Sequence, residues 1–268
     1  MLFRAIVTNH FNRPSVLLAA SFTTRKMDSL SKVEAGKKCA AYKAVDDWLK
    51  DGQNIGIGSG TTVVYAVDRI SELVKKNGYK IQCVPTSFQA LQLIKDANLP
   101  LTSLTDHPLL DVAFDGVDEI TPDFNSIKGG GGCLIQEKIV DANSKIFIAV
   151  ADEGKLSTYL GEHWKRGLPI EVIPMAAMTV KTEIEKRWGG EANLRMGVSK
   201  MGPVVSDNGN FIMDWKFDPA PDIDWQEVNV GLHLIPGVVG TGLFLGTAHQ
   251  AYLGTADGSV NVIKNPNN

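Results

Sequence analysis

The sequence predicts an α/β protein with a Rossmann-like, mostly parallel sheet domain and a smaller α+β domain of ferredoxin-like order. Two observations predict this fold. Up to about residue 168, short apolar stretches typical of buried strands alternate with amphipathic stretches typical of helices, which indicates a parallel sheet covered on both faces. After Leu168-Pro169 the order changes to strand, helix, strand, strand, helix, strand, which is the ferredoxin-like unit.

The length of 268 residues exceeds the usual size of one domain, so we expect two. The Rossmann-like domain is predicted from residues 31–168 together with 245–268, and the ferredoxin-like domain from residues 169–244. Residues 1–30 are predicted to be a leader, either disordered or used for targeting. The first 26 residues contain arginine and no acid, which is typical of a mitochondrial transit peptide. We expect a cytoplasmic location, because Met27 can serve as an internal start, with mitochondrial targeting as the alternative.

The elements of the large domain follow from the spacing of apolar residues. A strand in NIGIG runs into a glycine turn, and Asn77-Gly78 ends the helix that comes next. The predicted elements in chain order are the helix Ser31–Leu49, the strand NIGIG, the helix ended by Asn77-Gly78, the strand KIQCVPTS, the helix Phe88–Ala97, the strands Pro100–Leu104 and Leu110–Phe114, the helix Leu134–Ala142 and the strand Lys145–Val150.

The small domain is marked by an Asn208-Gly209 turn between apolar runs, which is a hairpin signal. A second hairpin, around Ala256-Asp257-Gly258, is expected to return to the large sheet. The other predicted elements are the strand Ile170–Ile173, the helix Thr179–Trp188, a strand before the turn, the strand Phe211–Trp215, the helix Trp225–Leu234 and the strand Val238–Phe244.

Composition excludes several classes of protein. No apolar run approaches the roughly 20 residues of a membrane-spanning helix, so no membrane partner is expected. The cysteines Cys39, Cys83 and Cys133 have no paired spacing, so neither a disulfide framework nor a thiolate metal site is predicted. Residues 1–27 hold 4 of the 27 bases, so the remainder carries 23 bases and 30 acids, a net charge of −7. That charge disfavours nucleic acid and indicates a small ligand.

The glycine turn in GIGSGTT is a candidate phosphate site, because backbone N–H groups, a helix N-terminus and two hydroxyls would point at an anion there. A dinucleotide fold would have glycine in place of Thr61 and an acid after the next strand, and a nucleotide P-loop would have Gly-Lys-Ser/Thr. Neither pattern is present. The alternative is that Gly56, Gly58 and Gly60 only permit tight packing of strand and helix.

The stretch from Asp111 to Glu137 concentrates chemically active side chains. Asp115 and Asp118 follow a buried strand, Lys128 leads into four glycines, and Glu137 lies in a helix-forming run. Lys155 comes after the strand Lys145–Val150. Ligands of open parallel sheets bind at the carboxyl ends of the strands, so we expect these side chains and the glycine turn to meet at one edge.

Five motifs in this order resemble ribose-5-phosphate isomerase of type A: GIGSGTT, DVAFDGVDEI, IKGGGGCLIQEKIV, AVADEGKLS and LPIEVIPM. The resemblance runs from about Lys37 to the C-terminus. It implies an aldose–ketose isomerase that interconverts ribose 5-phosphate and ribulose 5-phosphate in the pentose phosphate pathway. It also implies that the enzyme needs no metal or organic cofactor, binds a sugar phosphate, and forms a homodimer or homotetramer.

The resemblance assigns candidate site residues motif by motif. The catalytic candidates are Glu137, Asp115 and Lys128. The substrate-binding candidates are Ser59, Gly60, Thr61, Thr62, Asp115, Gly116, Val117, Asp118, Lys128, Gly129, Gly130, Gly131, Lys155 and, on a shorter motif, Lys37. Two departures are small: Ser59 replaces the threonine of many relatives, and Gly132 replaces a common alanine.

These residue types suit the chemistry. A carboxylate such as Glu137 can move a proton from C2 to C1, and Lys128 with glycine N–H groups can stabilise the enediolate. Asp115 would either shuttle protons between O1 and O2 or hold sugar hydroxyls, while Asp118 orients the site. Taken singly, each residue also has a structural alternative. Glu137 would be an ordinary acid in the first turns of a helix, the aspartates would cap turns, and the lysines would be solvated surface charges.

Two other functions stay open at this stage. In a coenzyme A transferase-like enzyme Glu137 would be a nucleophile, and hydroxylamine would trap its acyl form. A non-catalytic sugar-phosphate sensor would keep the pocket without turnover, and it would ordinarily carry a DNA-binding helix-turn-helix. The short N-terminal region shows no such pattern.

Overall fold

The computed structural model describes the backbone of residues 16–267 and the side chains of residues 32–267. The elements are α1 (Val16–Trp48), β1 (Asn54–Ile57), α2 (Thr61–Asn77), β2 (Gln82–Pro85), α3 (Phe88–Asp96), β3 (Leu110–Gly116), β4 (Glu119–Ile120), β5 (Asn125–Ile127), α4 (Leu134–Ala142), β6 (Ser144–Asp152), β7 (Leu168–Val172), α5 (Ala177–Trp188), β8 (Glu191–Leu194), β9 (Phe211–Lys216), α6 (Trp225–His233), β10 (Val238–Thr241), β11 (Leu243–Leu245), β12 (Gln250–Gly254) and β13 (Val260–Lys264).

The first helix is longer than predicted. It begins at Val16 instead of Ser31. Residues 16–35 contain neither proline nor glycine, so no helix-breaking residue interrupts the helix in this region. Part of the predicted leader is therefore helical, and its first 15 residues lie outside the described part of the chain. None of the helices in residues 16–267 is both long and apolar enough to cross a membrane.

The large sheet has six strands in the order β13-β12-β6-β3-β1-β2, and only the edge strand β13 is antiparallel to its neighbour. The predicted mostly parallel sheet and the C-terminal hairpin that returns to it are confirmed. Alternate residues of a strand face opposite sides. Phe114 of β3 packs with α1, α2 and α3, whereas Ala113 packs with Val140 of α4, so both faces are covered.

The small sheet has the strand order β10-β7-β9-β8, and every neighbouring pair is antiparallel. With helices α5 and α6, this is the predicted ferredoxin-like arrangement. Its core contains Trp215 and Trp225, which contact Phe217 at ring centroid distances of 5.5 Å and 4.8 Å. The Asn208-Gly209 turn lies between β8 and β9 as predicted, with Gly209 at a φ of +80°.

Two predicted strands were wrong. Pro100–Leu104 forms only an isolated bridge between Leu101 and Cys83. The single strand Val238–Phe244 is divided at Gly242 into β10, which joins the small sheet, and β11, which joins an unpredicted sheet of order β11-β5-β4. The chain turns there because glycine has no Cβ, and an added Cβ would lie 2.3 Å from the carbonyl oxygen of Lys128.

Candidate active site

A cavity of about 420 Å³ opens at the carboxyl ends of β1, β3 and β6. The predicted residues that line it are Lys37, Ser59, Gly60, Thr61, Thr62, Gly116, Val117, Asp118, Lys128, Gly131, Glu137 and Lys155. Asp115, Gly129 and Gly130 are predicted site residues that are not part of the lining. The parallel sheet thus brings the glycine turn and the stretch that contains Asp118, Lys128 and Glu137 to one edge.

Lys128 is the centre of the site. Its side chain is 2% exposed, and its Nζ lies 2.8 Å from Oδ2 of Asp115 and 3.3 Å from Oε2 of Glu137. The same Nζ donates a hydrogen bond to the carbonyl of Gly116 at 2.6 Å. Burial lowers the pKa of Lys128, but the surrounding carboxylates outweigh burial and raise it above its usual value. The lysine therefore stays charged, and it is not a solvated surface residue.

The carboxylate of Asp115 is buried and fixed from two sides. Its Oδ1 accepts hydrogen bonds from the N–H groups of Ser59, at 3.0 Å, and Gly116, at 2.7 Å. Its Oδ2 faces Lys128. The turn can fold this closely over Asp115 because Gly58 has no side chain, and an added Cβ would lie 2.0 Å from Oδ1. Gly56, in contrast, serves packing against Val140, as the structural alternative predicted.

Glu137 lies in the first turn of α4 and is 5% exposed. Burial, followed by the negative charge of Asp115, raises the pKa of Glu137 to about 8, against the opposing effect of Lys128. An ordinary acid in the first turn of a helix would be solvated and would have a low pKa. The carboxyl group of Glu137 is instead buried at the wall of the cavity and has a raised pKa, which suits a group that accepts and returns a proton.

The glycine loop after Lys128 is held from both sides. Gly130 donates its N–H to Oδ2 of Asp118 at 2.6 Å. Arg195, next to the small sheet, donates to the carbonyls of Gly129 and Gly130, both at 3.0 Å. Arg195 is itself paired with Asp214, with its Nε 2.8 Å from Oδ2. The backbone of Gly130 is therefore held by both Asp118 and Arg195, that of Gly129 is held by Arg195, and Gly131 lines the cavity.

The turn that begins α2 meets a lysine of α1. Nζ of Lys37 donates to Oγ1 of Thr61 at 3.1 Å and pairs with Glu34 at 2.7 Å. The N–H of Gly60, which has a φ of +104°, donates to Oε1 of Gln89 at 2.8 Å. An anion at this turn would find the helix N-terminus, hydroxyl groups and an ammonium group together.

Lys155 approaches the cavity from a loop that Glu119 organises. Glu119 is fully buried, and its two carboxylate oxygens accept hydrogen bonds from Ser157 Oγ and from backbone N–H groups of residues 161, 163 and 164. Nζ of Lys155 lies 5.9 Å from the ring centroid of Trp164 in that loop. Sequence reasoning missed Glu119, because nothing in its neighbours Asp118 and Ile120 distinguishes a buried acid from an exposed one.

Several lining residues were absent from the predicted site: Phe88, Gln89, Cys133, Ala151, Asp152 and Asp207. Asp207 comes from the turn between β8 and β9, and its Oδ2 accepts a hydrogen bond from the N–H of Phe88 at 2.9 Å. That turn is held by buried Glu171, whose Oε1 accepts hydrogen bonds from Ser206, Asn208 and Asn210. No local pattern could have placed Asp207 here, because the contact spans 119 residues of chain.

Comparison with known families shows the family of this chain. A family model described as ribose 5-phosphate isomerase A (phosphoriboisomerase A) matches residues 82–258. The chain belongs to this family. The resemblance in the sequence motifs is thereby confirmed. The matched region includes Asp115, Lys128 and Glu137.

Curated ribose-5-phosphate isomerases are similar over most of the chain. One from Sus scrofa is 52% identical over 238 residues, which cover 89% of this chain and 77% of the relative. One from Dictyostelium discoideum is 54% identical over 227 residues, which cover 84% of this chain and 96% of the relative.

Solved ribose 5-phosphate isomerase structures share the fold. The type A enzyme of Methanocaldococcus jannaschii aligns with a TM-score of 0.78 at 38% identity, covering 85% of this chain and 97% of the other. A D-ribose-5-phosphate isomerase in complex with phospho-erythronic acid aligns with a TM-score of 0.81 at 40% identity, covering 87% and 99%. Both alignments cover more than four fifths of this ribose 5-phosphate isomerase A family member.

Proposed function

We propose that Glu137, Lys128 and Asp115 carry out the reaction of the ribose 5-phosphate isomerase A family in this chain. The reaction is the interconversion of D-ribose 5-phosphate and D-ribulose 5-phosphate, an aldose–ketose isomerisation of the pentose phosphate pathway (EC 5.3.1.6). The observation that carries the proposal is the buried ammonium group of Lys128, held between two carboxylates at the edge of the cavity. Neither a coenzyme A transferase nor a sensor is favoured by the relatives, which are named as isomerases.

In this mechanism Glu137 is the base. Its carboxylate takes the proton from C2 of the open-chain aldose, the C–H electrons form the C1–C2 double bond, and the electrons of the C1 carbonyl move onto O1. The resulting enediolate is negative, and the ammonium group of Lys128 is placed to stabilise it. The proton of O2 then moves to O1, O2 forms the C2 carbonyl, and Glu137 returns its proton to C1, which yields the ketose. One carboxyl group on the cavity wall suffices for both transfers.

Asp115 has a supporting role in the proposal. It is fully buried and does not line the cavity. One of its oxygens accepts a hydrogen bond from the N–H of Ser59, and the other pairs with Lys128. These contacts favour an action through Lys128, whose charge Asp115 maintains and whose position it sets. They favour this role over direct contact with the sugar hydroxyls. Asp118 supports the glycine loop in the same way, through the N–H of Gly130.

The phosphate end of the substrate is assigned to the Ser59–Thr62 turn with Lys37 and Lys155. Both lysines line the same cavity as the turn. The complex of a related isomerase with phospho-erythronic acid, a phosphorylated sugar acid, supports a site for a phosphorylated sugar chain in this fold. The distance between the turn and Lys128 would then set how far the reacting carbons lie from the phosphate.

The direct test is to incubate the purified protein with ribose 5-phosphate in excess chelator and to follow ketose formation. We expect turnover that chelator does not reduce. Unphosphorylated ribose should be at least about 100-fold poorer in kcat/KM, because charge-assisted contacts to the phosphate also act in the transition state. Equal kcat/KM for the two sugars would contradict the phosphate assignment, and a lack of ketose would contradict the function.

The pH dependence tests the base. Glu137 must be deprotonated to accept a proton, and its pKa is raised to about 8, so activity is lost on the acidic side. We expect kcat/KM to fall about tenfold per pH unit below pH 8, since this ratio reports the free enzyme. Initial rates with ribose 5-phosphate between pH 5.5 and 9.5 measure the profile. A plateau that continues down to pH 5.5 would show that a group of lower pKa is the base.

Assembly, domain division and location are further proposals. We infer a homodimer or homotetramer, which is supported by exposed apolar side chains on the small-sheet region: Ile173, Met175, Met178, Leu234 and Val239. The six-stranded and four-stranded sheets support the division into residues 31–168 with 245–268 and residues 169–244, and the three-stranded sheet joins the two parts. A cytoplasmic location, with mitochondrial targeting by residues 1–26 as the alternative, rests on the sequence alone.

A further inference from the structure

Asp141 is a buried acid behind the reaction centre that the mechanism above does not use. It lies one helical turn after Glu137 on α4, so the two carboxyl groups project from the same side of the helix. Asp141 is 6% exposed. Among the described residues, neither of its oxygens has a hydrogen-bond partner. A buried carboxyl group without a partner is costly, and it requires an explanation.

The charges around Asp141 do not balance if every acid is ionised. Three charged groups act on it: Asp115 from β3, Lys128 after β5, and Glu137 from α4. With Asp141 ionised, three carboxylates would share the single positive charge of Lys128, which already pairs with two of them. Burial first, and then the charges of Asp115 and Glu137, raise the pKa of Asp141 well above its usual value, despite Lys128.

We propose that Asp141 is a neutral carboxylic acid in the folded isomerase and that its ionisation slows the reaction. The proposal rests on the proposed function of Glu137 and Lys128. While Asp141 holds its proton, the charge of Lys128 is balanced by Asp115 and remains directed at the enediolate. Ionisation of Asp141 at alkaline pH would place another negative charge beside the developing enediolate, and kcat would then fall. The closest physical parallel is a carboxylic acid kept neutral by an apolar site.

The neutral state has a consequence for folding that does not depend on activity. In the unfolded chain Asp141 has an ordinary pKa of about 3.9 and loses its proton above that pH. In the folded chain it keeps the proton. At a pH between the pKa of Asp141 in the unfolded chain and its raised pKa in the folded chain, the unfolded state binds fewer protons. The wild type therefore loses stability as pH rises through this range. Asp141→Asn cannot ionise, and it escapes this loss.

The experiment compares the full-length wild type, Asp141→Asn and the control Asp68→Asn, an exposed aspartate on α2. Urea unfolding at pH 5 and pH 8 gives the unfolding constants. We expect the ratio of the wild-type constant to that of Asp141→Asn to rise between pH 5 and pH 8, by about tenfold for each pH unit in which Asp141 is protonated in the folded state and ionised in the unfolded state. The ratio for Asp68→Asn should change less than threefold. A flat ratio for Asp141→Asn would overturn the neutral state.

The role in the reaction is tested with the same proteins by the kcat profile from pH 6 to 10.5. We expect Asp141→Asn to keep kcat within about threefold at pH 7 and to retain activity at alkaline pH where the wild type declines. Superimposed profiles, with the unfolding ratio still rising, would leave Asp141 as a buried neutral acid without a role in the reaction, and would overturn the proposal. If the wild type itself fails to isomerise ribose 5-phosphate, the proposed function fails while the unfolding result stands.

Discussion

Glu137→Gln is expected to lower kcat by roughly 10²–10⁴, with little change in KM. The amide keeps the shape of the side chain and removes its basicity, so the substrate still binds while proton transfer fails. The variant should not unfold, because removing the acid removes a cost. The folded state raises the pKa of Glu137 to about 8, so the wild type loses stability as pH rises towards that value, and glutamine does not.

The matched control is Glu227→Gln. Glu227 also lies in the first turn of its helix, α6, but it is exposed and is not part of the cavity lining. Its substitution should leave kcat within about twofold, since surface changes rarely have large effects.

In deuterium oxide, any solvent deuterium that the wild type puts into the sugar should be absent with Glu137→Gln. Near-wild-type kcat in Glu137→Gln would move the proton transfer to another group, and Asp115 would be the next candidate.

Lys128→Met is expected to damage both stability and turnover. Methionine fills a similar volume but leaves Asp115 and Glu137 without the ammonium group that now lies 2.8 Å and 3.3 Å from them. Breaking a buried ion pair from one side costs about 3–5 kcal/mol in the free energy of unfolding. Loss of one stabilising group for a developing oxyanion lowers kcat by about 10²–10³. Urea unfolding and steady-state rates measure the two effects.

The two effects of Lys128→Met can be separated with a second substitution. Lys128→Met combined with Asp115→Asn removes one of the unpaired buried charges, so it should recover a large part of the stability but none of the turnover. The control Lys145→Met removes a lysine whose side chain is 68% exposed and should cost at most about 1 kcal/mol. A Lys128→Met protein as stable and as active as wild type would contradict the central position of this residue.

Much of the site was predictable because it is encoded close together in the chain. Asp115, Lys128 and Glu137 lie within 111–137, and a buried strand, a glycine run and a helix-forming run are all local patterns. The parallel sheet then adds a general rule, which places the ends of its strands at one edge. That rule brought Ser59–Thr62 and Lys155 to the same cavity without any knowledge of their contacts.

What the sequence by itself determined is the fold class, the order of most elements, the family and the residue types at the centre of the site. Only the tertiary structure decided which groups touch. The burial of Lys128, the raised pKa of Glu137 and the isolation of Asp141 depend on surrounding elements that pack from distant parts of the chain. The same holds for Gly242, which separates two sheets, and for Asp207. Local periodicity reports how a segment folds, whereas desolvation and charge pairing depend on what packs against it.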